Sequence, residues 1–231
     1  MSPSEARAGH LRAACFDLDG VVVDSEPLHF EAEKEALAHH GVDLTLDDKA
    51  EFVGYPLHEV AVRMAARFGL PDAEAFYIER QRIFQALVAS RLGLRRGVAG
   101  LLDLLASRGV HCALVTSGPR RYVDGVLARF GLGRYFDFVI AEEDVREHKP
   151  APGPYLAAAR LLALPPAACL ALEDSPTGVT SAKAAGLYCV AIPSQPTAGS
   201  DLSLADERID SLTDFGPQMA DRLFVPPTPI T

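Results

Sequence analysis

The stretch 98-VAGLLDLLASRGVHCALVTSGPRRYVDGVLARFGLGRYFDFVIA-141 decides the fold. Its first twelve residues space apolar side chains as a helix does and stop at Gly109. Val110–Thr116, VHCALVT, is then a mostly apolar run that predicts a buried strand. Pro119 opens a second helix and Gly131 closes it. FDFVIA follows as another strand. The alternation continues outward: PGPYLAAARLLAL predicts a helix, CLALE a strand, SPTGVTSAKAAG a helix and LYCVAI a strand. Upstream, AACFDL at 13–18 predicts one more strand, broken by Gly20 in DGVVVDSEP, a loop that closes at Pro27. Strands alternating with helices predict an α/β fold, a doubly wound parallel sheet with helices on both faces.

Residues 28–91 break this rhythm, with helical periodicity and no convincing strand. Leu57, Val60, Ala61, Met64 and Phe68 share one helix face, ended by Gly69 and Pro71. Asp72 is placed to cap the next helix, whose apolar side carries Phe76, Ile83 and Leu87. A core of residues 1–26 and 92–231 with a small helical domain at 27–91 is the expected division. Residues 1–10 and the Pro-rich end FVPPTPIT are expected to be loose.

The bulk numbers narrow the function. With 31 acidic against 22 basic residues the net charge is −9, which argues against general nucleic-acid binding but leaves room for a locally positive pocket. Cys15, Cys112, Cys169 and Cys189 form no CxxC pair, so they are expected to be buried, reduced strand thiols rather than zinc ligands. No membrane-length apolar run and no signal-peptide pattern occur. A cytoplasmic protein is the expectation, as a monomer or at most a homodimer, with neither nucleic acid nor membrane as a partner.

In open parallel sheets ligands bind beyond the carboxyl ends of the strands, so the residues after each strand matter most. Asp17-Leu18-Asp19-Gly20 follows the first. In extended chain Asp17 and Asp19 point the same way while Leu18 turns to the core. Two carboxylates so close need a proton or a hard cation such as Mg²⁺ between them; a solvated turn is the alternative. Glu173-Asp174-Ser175-Pro176 follows CLAL and reads either as a metal-binding acid pair or as a helix-capping cluster. Thr116-Ser117-Gly118-Pro119 suits an anion at a helix start, or a simple N-cap. Lys149, held before Pro150, is a fixed positive charge or a surface lysine. Taken together, the four clusters supply a carboxylate nucleophile, a second carboxylate, metal-binding acids, a hydroxyl and a cation. Phosphoryl transfer needs that inventory.

These motifs resemble the haloacid dehalogenase-like superfamily: FDLDGVVVDSEPLH its first motif, LVTSG its second, HKPAP its third and LEDSPTG its fourth. The helical insert is similar to the C1 cap of the phosphatase and beta-phosphoglucomutase-like branch. The resemblance implies a Rossmann-like core, Mg²⁺ as cofactor and a small phosphorylated metabolite as substrate. It makes Asp17 the nucleophile that forms an aspartyl-phosphate and Asp19 the general acid/base. The metal would be held by Asp17, the backbone carbonyl of Asp19, and Asp174, with Glu173 binding or supporting it. Thr116, with Ser117 beside it, and Lys149 would hold the phosphoryl group. Asp19 also argues against dehalogenation, which needs no leaving-group acid.

The resemblance implies a phosphatase acting on a sugar phosphate or similar monoester. The alternatives are a hexose-phosphate mutase of the beta-phosphoglucomutase type and, more remotely, a non-catalytic binding module. The mutases carry an arginine just after a cap glycine, whereas here Gly54 precedes Tyr55, Pro56 and Leu57. His29, near the hinge, is a candidate for substrate contact. Arg80 and Arg82 are candidates for a second anionic group of the substrate, or residues of a solvated helix face.

Overall fold

The structure is a computed structural model and describes residues 11–52, 55, 57–194, 197 and 199–224. Gly54, Pro56, residues 1–10 and the last seven residues lie outside the described set, and with them the readings of the cap glycine and of the chain ends.

Among the described residues, six strands form one parallel sheet: β1 (Ala13–Phe16), β2 (His111–Val115), β3 (Phe138–Ile140), β4 (Cys169–Glu173), β5 (Tyr188–Ala191) and β6 (Glu207–Arg208). Their order is β3-β2-β1-β4-β5-β6. The chain winds from β1 to one edge, then returns past β1 and winds to the other. β1 is therefore central, paired with β2 and β4, and Phe16 stands level with Leu114 and Leu172. Its four residues are fully buried, as both-face burial in a parallel sheet requires.

Side chains alternate between the two faces. Cys15, Val115 and Ala171 join one cluster with α7 (Gly153–Leu161) and α8 (Pro176–Ala184). Phe16, Leu114 and Leu172 join another with α5 (Val98–Ser107), α6 (Arg120–Phe130) and α9 (Pro217–Leu223). Gly131 ends α6 with a φ of 65°, the left-handed cap expected of it. All four cysteines are free and buried.

Between β1 and α5 lie α1 (Glu26–Ala38), α2 (Leu46–Ala50), α3 (Leu57–Phe68) and α4 (Ala73–Arg91). α4 packs against both α1 and α3. Asp72 caps α4, its carboxylate accepting the N–H groups of Glu74 and Ala75 at 3.0 Å each. The two chain segments entering and leaving this helical block run side by side. Asp24 N–H bonds Gly93 C=O at 3.0 Å and Arg95 N–H bonds Val22 C=O at 2.9 Å.

Two local readings need correction. Pro27, expected to close the loop after β1, lies inside the first turn of α1, where a missing N–H costs nothing. β6 and α9 were not expected. A two-residue edge strand carries no periodicity to read.

Candidate active site

One residue beyond the level row Phe16, Leu114 and Leu172 stand Asp17, Val115 and Glu173. The parallel register thus sets Asp17 beside Glu173, and Asp17 N–H bonds Leu172 C=O at 3.0 Å. Both acids share the face on which α7 and α8 pack, following the parity of Cys15 and Ala171. Leu18 is fully buried, so the chain turns between Asp17 and Asp19 on an apolar anchor. The turn itself needs Gly20: its φ is +82°, and a Cβ there would run into the Asp174 carboxylate.

Lys149 crosses from the β3–α7 connection into this cluster. Its ammonium donates to Asp17 Oδ1 at 2.6 Å, to Glu173 Oε1 at 2.6 Å and to Val115 C=O at 2.9 Å. Burial works against the charge of Lys149, but Asp17 and Glu173 hold its pKa above the ordinary lysine range. Glu173 is fully buried and also accepts the Tyr155 hydroxyl at 2.5 Å. Asp17 and Asp174 are nearly buried, at 8% and 5% exposure. Burial lifts Asp17 to about 7, against the pull of Lys149 and with a push from Glu173. Burial, then Asp17, raise Asp174 well above the usual carboxylate range.

Three carboxylates thus face one ammonium. Asp17, Glu173 and Asp174 each offer an oxygen within 4.8 Å of the others. Among the described residues Asp174 pairs with no lysine or arginine. The surplus of buried negative charge and the all-oxygen donor set fit a hard divalent cation such as Mg²⁺.

Asp19 sits at the rim, and its Oδ1 accepts the Tyr122 hydroxyl at 2.7 Å. Burial raises its pKa. Thr116 lies at the end of β2, 4% exposed, with its hydroxyl accepting the Gly118 N–H at 3.0 Å. Ser117 beside it is exposed. The structure therefore brings Asp17, Asp19, Thr116, Lys149, Glu173 and Asp174 to one end of the sheet.

The insert residues fare differently. His29 stacks on Phe84 of α4 at 4.0 Å between ring centroids and contacts the Arg80 guanidinium. Arg80, expected either to meet a second anionic group of the substrate or to lie on a solvated face, has only 2% of its side chain exposed. It lies 3.5 Å from Glu33, which also takes both oxygens' worth of hydrogen bonds from Lys49, at 2.7 and 2.6 Å. Helix periodicity cannot foresee a carboxylate on a neighbouring helix. Arg82 is exposed and makes no ion pair among the described residues. Two positions escaped the sequence reading, Tyr122 and Tyr155. Each sits in a recognisable place, just after TSGP and just after KPAP, but tyrosine in a helix normally reads as packing.

Residues 11–186 match the haloacid dehalogenase-like hydrolase family. Protein CbbY of Rhodobacter capsulatus is 35% identical over 224 residues, spanning 92% of this chain and 99% of the relative. Hexitol phosphatase B of Escherichia coli K12 is 32% identical over 208 residues, spanning 88% and 93%. The crystal structure of CbbY from Rhodobacter sphaeroides in complex with phosphate superposes with a TM-score of 0.75 at 31% identity, covering 89% of this chain and 96% of that one. The chain belongs to the haloacid dehalogenase-like hydrolase family, in its phosphatase branch.

Proposed function

We propose that the protein is a Mg²⁺-dependent phosphatase that hydrolyses a small phosphorylated metabolite of the sugar-phosphate class through an aspartyl-phosphate on Asp17. The observation that carries this reading is the Lys149 ammonium at 2.6 Å from both Asp17 and Glu173, with Asp174 alongside. Lys149 occupies one oxygen of Asp17 and leaves the other without a protein donor among the described residues. That free oxygen attacks phosphorus. The fixed ammonium neutralises charge gathering on the phosphoryl oxygens, which costs no reorganisation because Glu173 and Val115 already hold it in place. The Thr116 hydroxyl, with Ser117 beside it at the loop after β2, orients the phosphoryl group. Asp19 gives its proton to the leaving alkoxide and then takes one from the water that cleaves the aspartyl-phosphate.

Asp17, Asp174 and the backbone carbonyl of Asp19, with Glu173 behind them, would hold Mg²⁺. When bound, it supplies charge neutralisation at the transferring group. Residues 27–91 serve as a cap over this site, and the paired linkers at 22–24 and 93–95 support that division. The name hexitol phosphatase B, borne by one relative, supports a sugar-like alcohol as leaving group.

The test is Mg²⁺-dependent release of p-nitrophenol from p-nitrophenyl phosphate, with Asp17→Asn as control. The variant should fold and lose activity by at least about 10³-fold, as expected when a nucleophile is removed. Undiminished turnover by Asp17→Asn, or in excess chelator, would overturn the reading.

A further inference from the structure

We propose that Tyr122 is the positioning residue for the proton-transferring carboxylate of Asp19, an inference that rests on the phosphatase reading above. Tyr122 lies in the first turn of α6 and Asp19 in the turn after β1, 103 residues apart in the chain. The phenol donates to Asp19 Oδ1 at 2.7 Å, and the buried Ser25 hydroxyl lies beside the same carboxylate.

The ring is fixed from two directions. On the core side it lies over Gly118, where an added Cβ would stand 3.1 Å from Tyr122 Cδ1 and 3.4 Å from Thr116 Oγ1. The missing side chain at Gly118 is what lets the ring close over the loop that carries Thr116. On the insert side Phe84 faces it, with ring centroids 6.3 Å apart and planes tilted by 51°. Phe84 is in turn stacked on His29. Core and insert together therefore set the position of the phenol oxygen.

A carboxylate at a turn can rotate about its χ2, and only some orientations aim an oxygen at a leaving group. With Oδ1 held by Tyr122, Oδ2 is the oxygen left to carry and deliver the proton. Misaligned proton transfer matters most when the leaving alcohol is strongly basic. It matters little when the leaving group departs as a stable anion. Tyr122 should thus be worth more for alkyl phosphates than for p-nitrophenyl phosphate.

The experiment compares kcat/KM of wild type, Tyr122→Phe and Asp19→Asn on p-nitrophenyl phosphate and on the best alkyl phosphate of a sugar-phosphate panel. Thermal midpoints are measured in parallel. Tyr122→Phe keeps the ring and removes only the hydroxyl. It is expected to lose about ten-fold or more on the alkyl phosphate, the worth of a hydrogen bond to a charged group. Its loss on p-nitrophenyl phosphate should be several-fold smaller, with an unchanged midpoint, and Asp19→Asn should show the same bias more strongly. Equal losses on both esters, with or without a lowered midpoint, would make Tyr122 a packing residue and overturn the proposal. So would no loss on either. A wild type inactive on both esters would instead sink the phosphatase reading itself.

Discussion

Gly178 shows how single positions in the site are decided by competition between effects. It stands in the first turn of α8, where its N–H bonds the Ser175 hydroxyl at 3.1 Å. Helix propensity alone favours alanine there by roughly 0.5–1 kcal/mol. A Cβ, however, would collide with the Glu173 carboxylate. That carboxylate cannot retreat, because Tyr155 and Lys149 hold it and it is fully buried. Overpacking of this kind costs about 1–3 kcal/mol and outweighs the propensity gain. Gly178→Ala should therefore lower the midpoint of denaturant unfolding and reduce turnover, since Glu173 helps to hold Lys149. A variant that is more stable than wild type would contradict this geometry.

At the scale of elements, the helical block is held by a buried ionic cluster as well as by apolar packing. Glu33 of α1 sits between Lys49 of α2 and Arg80 of α4, with 1% of its side chain exposed. Removing one partner of a buried pair leaves the others uncompensated, at roughly 3–5 kcal/mol. Glu33→Ala is expected to destabilise the block by about that amount. Its signature should be protease cleavage within 27–91 before cleavage of the sheet. Cleavage spread evenly over the chain would mean that the cluster does not stabilise this block.

His29 belongs to the same cluster and gives it a pH dependence. Burial first, then Arg80 and Lys49, depress its pKa well below the ordinary 6.5. The folded protein holds the ring neutral, whereas the unfolded chain protonates it near that ordinary value. Its contribution is thus fully present above about pH 6.5 and is lost as pH falls below it, by up to ~1.4 kcal/mol per pH unit. Unfolding midpoints at pH 8 and pH 5.5 should diverge more for wild type than for His29→Gln. Equal slopes in the two proteins would exclude this role.

For the whole molecule, the three carboxylates at the sheet's end concentrate repulsion that a bound cation relieves. A ligand that binds only the folded state stabilises it by mass action, about 2.7 kcal/mol at a hundred times Kd. Mg²⁺ should accordingly raise the thermal midpoint in proportion to the logarithm of its concentration, and chelator should reverse the shift. Asp174→Ala should abolish the response while leaving the parallel sheet intact by circular dichroism. A shift that persists in Asp174→Ala would move the cation elsewhere.

How much of this was legible follows from where the information lies. The alternation of apolar runs and helix-period segments wrote the parallel sheet into the sequence, because both signals are local. DLDG, TSG, the lysine at 149 and EDSP could be assigned to one site because parallel strands all deliver their ends to the same edge of the sheet. Asp72 as a helix cap was readable for the same local reason. β6 was not, since two residues carry no period, and Pro27 misled because proline both ends loops and begins helices. What only the tertiary structure decided was which side chains meet. Arg80 lies beside Glu33 rather than open to solvent or to a substrate anion, Tyr155 went to Glu173 and Tyr122 to Asp19. Each of these pairs joins segments whose spacing in the chain says nothing of their distance in space. A hydrogen bond depends on that distance alone.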